Sequence, residues 1–168
     1  MVTIRCTQKL LRRVHRATAA PASTTLLGDW YANILFARPE QLILCISERS
    51  LLPVVVTARE ASALGDRLAT SLGDVLFHLG VPPQSIEREQ SEMTEVAFAP
   101  TQNRRVLGTL NELMFQVSWY LHDEPSLSLL EASLKLARTP CSAIGHASPM
   151  QFTPSLFGSS SVQSAMVQ

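Results

Sequence analysis

The chain has 168 residues, 46% hydrophobic and 17% charged, with no net charge at pH 7; this is the make-up of one folded domain and excludes a disordered chain. A domain of about 150 residues buries roughly 70% of its unfolded surface, so a full core is expected. The longest apolar runs, LILCI (42–46) and LLPVVV (51–56), are too short to cross a bilayer, and no integral membrane role follows.

Neutrality hides an asymmetry. Residues 1–28 carry Arg5, Lys9, Arg12, Arg13 and Arg16 and no acid, whereas the rest of the chain holds 9 basic (14 less 5) and 14 acidic side chains. A basic arm on an acidic body has the charge pattern that seeks phosphate, and equally that of a solvated helix face. The same Arg-rich, acid-free stretch, leading into ATAAPASTT, has the composition of an organellar transit peptide. Against this, Val2, Ile4 and Cys6 share one face of a strand in VTIRC (2–6), and Leu10, Leu11 and Val14 form a helical stripe over 7–16. Removing the segment would discard core.

Ala17 to Gly28 is a linker rich in Ala, Ser, Thr and Pro. Three apolar segments follow, 29–37, 41–47 and 51–57, with connections short enough for an antiparallel meander. In the first, Trp30, Ala32, Ile34 and Phe36 are expected on the core face. Tyr31, Asn33 and Leu35 point to a partly buried face, where Asn33 needs a hydrogen-bond partner. QLILCIS is apolar on both faces and belongs inside the sheet, while Pro53 makes the third an edge strand or a strand with a break. Leu64, Leu68, Leu72, Val75, Leu76 and Leu79 recur at helical steps between Glu60 and Gly80. PQSIEREQSE reads as a polar turn or short helix, and TEVAFA (94–99) alternates as a strand. Asn103 is a natural N-cap for a long helix bearing Val106, Leu110, Leu113, Val117 and Leu121, and SLLEASLKLA forms another. The order β-α-β-β-β-α-β-α-α predicts an α+β fold. It is expected to be a small mixed or antiparallel sheet of about five strands with helices packed on one face, a single domain over 1–157 and a frayed tail over 158–168.

Several chemistries find no support. The seven glycines form neither GxGxxG nor GxxxxGK, and His15, His78, His122 and His146 share no ligand spacing. No metal site and no cofactor are expected. Cys6, Cys45 and Cys141 are odd in number and far apart, which argues against a disulfide framework and for a reducing, cytoplasmic setting. A Cys141–His146 dyad within TPCSAIGH lacks any sign of an activated thiol, so packing is the simpler role. Glu87, Glu89, Glu92 and Glu95 lie on a polar connector. No catalytic residue emerges.

NRRVLGTLNE (103–112) departs most from plain helix design. Arg104 and Arg105 occupy the first turn, where the macrodipole disfavours cations. Arg104, Gly108 and Asn111 form a stripe apart from the apolar one. Gly108 costs about 1 kcal/mol against Ala, so a close approach is expected there, to the strand carrying Asn33, to an anion or to a partner.

The blocks IRCTQKLL, LGDWYANILF, ERSLLPVVV, NRRVLGTLNEL and LARTPCSAIGHASP together resemble an uncharacterised bacterial family, a domain of unknown function, over Val2 to Phe157. The resemblance implies an intracellular domain that includes the N-terminal arm, and it implies no activity, cofactor or catalytic residue. TPCSAIGH stands where a more glycine-rich loop is expected.

The reading is a non-enzymatic cytoplasmic interaction module. Its partner is a protein, engaged through an exposed apolar patch, or nucleic acid, bound weakly and non-specifically by Arg5, Lys9, Arg12, Arg13 and Arg16. The alternative is a small-ligand-binding domain or enzyme with a polar crevice of Asp29, Asn33, Arg49, Arg104 and Asn111 near the start of the 103–112 helix.

Overall fold

A computed structural model describes residues 1–14, 19–37 and 40–166, with side chains up to Gly158. The strands are β1 (Val2–Cys6), β2 (Trp30–Ala37), β3 (Glu40–Ser47), β4 (Pro53–Thr57) and β5 (Val96–Pro100). The helices are α1 (Gln8–Leu11), α2 (Leu64–His78), α3 (Pro83–Ser91), α4 (Arg104–Asp123), α5 (Leu129–Leu136) and α6 (Pro149–Met166). The strands make one mixed sheet in the order β4-β3-β2-β1-β5. β1 runs parallel to both β2 and β5, and β2-β3-β4 is the expected antiparallel meander.

The α+β class and the five-stranded sheet are as expected; the layering is fuller than one covered face. Along β2, Trp30, Ala32 and Ile34 enter a core with Leu64, Leu68, Leu72 and Val75 of α2 and Ile86 of α3. Tyr31 and Leu35 enter a second core with Val106, Leu110, Leu113 and Val117 of α4. Both faces are therefore covered. The reason lies in β3 and β4, whose residues Leu42–Ile46 and Val54–Val56 are buried whichever way they point. A sheet apolar on both faces needs helices on both. Phe36, expected in the core, is 64% exposed near the end of β2.

Pro53 opens an edge strand, as expected. That edge is closed by α5: the Val55 N–H donates to Ser133 Oγ at 2.9 Å, and Ser133 donates onward to Leu129 O. An edge amide is thereby satisfied and kept from pairing with another chain. β1 is interior, bonded on both sides, so residues 2–6 are integral to the sheet. α1 is a single turn from Gln8 to Leu11, shorter than the helix expected over 7–16. α6 is an addition to the expected order. It starts on a reciprocal cap, with Gln151 N donating to Ser148 Oγ and Ser148 N to Gln151 Oε1, and it sends Phe157 into the α2 core.

Candidate functional site

One cation of the basic arm is withdrawn from its surface. Arg5 is buried, donating from Nε to Asp29 Oδ2 at 2.8 Å and from Nη1 to Pro100 O at 3.1 Å. Ser23 Oγ donates to the other Asp29 oxygen and accepts from Thr3 N, while Thr3 Oγ1 donates to Pro21 O. These bonds fasten the described part of the linker onto β1. Lys9, Arg12 and Arg13 are exposed; Lys9 stands 5.9 Å over the Phe36 ring and Arg13 donates to Gln41. Arg16 lies outside the described residues.

The five polar residues of the expected crevice make no hydrogen bond or ion pair with one another. Asp29 is taken up by Arg5 and Ser23. Asn33 Oδ1 accepts from Thr7 Oγ1 at 2.6 Å and from the Ile34 N–H at 2.8 Å. This replaces a strand bond, because β1 has ended at Cys6 while β2 continues. Arg49 donates to Leu26 O. Arg104 and Asn111 are exposed on α4. Gly108 faces open space, with nothing within 4 Å of where a Cβ would stand. The close approach expected there is absent, because the stripe 104-108-111 lies opposite the buried stripe Val106, Leu110, Leu113 and Val117. The tight contact belongs instead to Gly65 of α2, where a Cβ would stand 2.4 Å from Val96 Cγ2 of β5.

Cys141 and His146 form no side-chain pair. The Cys141 thiol donates to Thr139 O, and burial, assisted by the Glu112 charge, pushes it above the ordinary thiol value, the reverse of an activated nucleophile. Cys6 is pushed up to about 12 by burial, and Cys45 higher. Of the connector acids, Glu89 is buried and accepts from the Leu26 and Leu27 N–H groups, so it anchors the linker. Among the described residues, no three His, Cys, Asp or Glu side chains cluster closely enough to hold a metal. No helix there is long and apolar enough to cross a membrane.

What remains is the outward face of α4. Asn103 caps the helix through the N–H groups of Arg105 and Val106, and its own N–H donates to the Tyr31 hydroxyl, fixing α4 on β2. With the apolar stripe turned inward, the opposite side presents Arg104, Gly108, Asn111, Glu112, Phe115 and Trp119. Phe115 is 78% and Trp119 62% exposed. They stand one helical turn apart, so they form a single patch. Beyond them a shallow cleft of about 390 Å³, lined by Phe36, Ala37, Ser118, Leu121, His122 and Pro125, adjoins the same end of α4. The sequence carried the signal: Phe115 and Trp119 are an i, i+4 aromatic pair off the apolar stripe.

The sequence model of one family, Domain of unknown function (DUF6933), matches residues 3–152. The chain belongs to this family. The DUF6933 match takes in all five strands, α1 to α5 and the first turn of α6. The exposed α4 patch thus lies within the family domain. No curated protein and no solved structure matches the chain.

Proposed function

We propose that this DUF6933 chain is a non-enzymatic interaction module of the cytoplasm, and that the outward face of α4 is its docking surface. The observation that carries the reading is the Phe115–Trp119 pair. Two large aromatic side chains held in water by a rigid, capped helix forgo the roughly 1.5–3 kcal/mol that burial gives each such side chain. Their sites on the fold do not require them, since the core-facing stripe of α4 is complete without them. Aromatic anchors of this kind dominate binding energy at protein interfaces. Three unpaired, buried thiols support a reducing compartment. Of the polar residues of the expected crevice, Asp29, Asn33 and Arg49 are engaged in bonds within the fold, and Arg104 and Asn111 stand on the α4 face itself.

A photoreactive benzoyl-phenylalanine placed at Phe115, compared with one at exposed Gln84 of α3, tests the reading in cells making the full chain. The expected result is one discrete adduct from position 115 and none from position 84. No adduct at 115, or equal labelling from both positions, overturns it.

A further inference from the structure

We propose that the partner on α4 is a second copy of the same chain, bound by antiparallel, two-fold pairing of the two α4 helices. The inference rests on the reading of α4 as a docking surface and names its occupant.

The charges of α4 are reversed with respect to its own dipole. Arg104 and Arg105 stand at the N-terminus, where cations are unfavourable, and Asp123 and Glu124 at the C-terminus, where anions are. All four are exposed, and among the described residues none of the four side chains has a hydrogen-bond or ion-pair partner. An antiparallel copy corrects every one of these placements. Arg104 meets the Asp123 carboxylate at the partner's helix C-terminus, with Arg105 and Glu124 beside that pair, and the two-fold axis repeats the match at the other end. The two macrodipoles then also run in opposition.

Shape selects the same register. With the axis crossing between Leu113 and Met114, Arg104 stands opposite Asp123, and Gly108 stands opposite Trp119. Gly108 leaves bare backbone on the exposed face, open for an indole to lie against, and Trp119 supplies the indole. Glu112 stands opposite Phe115, so the phenyl ring covers the aliphatic stem of Glu112 close to the axis. The helix is about 30 Å long at 1.5 Å per residue, enough for all of these pairs to form together. Four features that the fold leaves unused, an inverted charge pair at each end, an exposed glycine and two exposed aromatics, become one self-complementary surface. Nucleic acid fits this face poorly, because Glu112, Asp123 and Glu124 would confront its phosphates.

Sedimentation of the full chain across a concentration series tests the pairing. The wild type should reach twice its monomer mass. Arg104→Asp with Arg105→Asp makes both helix ends acidic, and Asp123→Arg with Glu124→Arg makes both basic. Each double variant alone should remain monomeric, its Kd weakened by at least roughly tenfold. An equimolar mixture of the two should restore the dimer. Both changes suit the dipole of an isolated α4, so folding is retained, and circular dichroism checks it. A wild type that stays monomeric while benzoyl-phenylalanine at 115 labels another protein ends the second-copy proposal and leaves the docking surface standing. A dimer that survives both double variants, or monomeric variants whose mixture stays monomeric, overturns the antiparallel pairing.

Discussion

Arg5 of β1 and Asp29, the residue before β2, form a buried ion pair with Nε and Oδ2 2.8 Å apart. The Asp29 carboxylate is completed by Ser23 and the Arg5 guanidinium by Pro100 O, so one pair joins β1, the linker, β2 and β5. Removing one partner leaves the other charged and largely out of water. Asp29→Ala should therefore cost roughly 3–5 kcal/mol in urea unfolding, and Arg5→Met a similar amount. The double variant Arg5→Met with Asp29→Leu should lose clearly less than the sum of the two. Single variants within about 0.5 kcal/mol of wild type would mean that the pair is solvated.

Two glycines should respond oppositely to a methyl group. Gly108→Ala gains up to about 1 kcal/mol of helix propensity with no contact to offset it, so dilute protein should melt at a higher temperature. Gly65→Ala places its methyl against the stiff Val96 side chain, and overpacking of about 1–3 kcal/mol outweighs the same gain. Its melting temperature should fall. The reverse order of the two would contradict the placement of α2 and α4.

Glu89 makes stability depend on pH. Burial, the largest influence, raises it above the ordinary carboxyl value, against the lowering effect of the Leu26 and Leu27 N–H bonds and the Arg49 charge. The folded state thus holds the proton more tightly than the unfolded chain does. Its stabilising contribution is fully present below the unfolded value and is lost as pH rises through the folded one. Measured against Glu89→Gln, the wild type should lose relative stability as pH rises above the ordinary carboxyl value of about 4.3. A relative gain over that rise would show that the backbone bonds, not burial, prevail.

The sheet was legible in the sequence because its signals are local. Strand alternation, short connections and Pro53 fix β2-β3-β4, and the inward stripes fix α2 and α4. Burial on both faces was already written in QLILCIS, which can bury both of its sides only between two layers. α6 was missed because Pro154 and the serines of its sequence mask a helix whose start is marked only by the S-x-x-Q cap at Ser148–Gln151. The partners of the buried polar residues were not legible for a different reason. Asp29, Asn33 and Arg5 find their partners through strand order and through the ending of β1 at Cys6, relations between segments far apart in the chain. Gly108 faces open space because low helix propensity carries no information about which side of the helix a residue occupies.

Tryptophan quenching tests the self-pairing of α4 most directly. Trp30 is fully buried and Trp119 is exposed, so acrylamide-accessible emission reports on α4 without any substitution. Accessible emission should be high in dilute protein and should fall as concentration rises, with the same midpoint as the doubling of mass. Quenching that stays constant across that range, whether high or low, would contradict docking through Trp119.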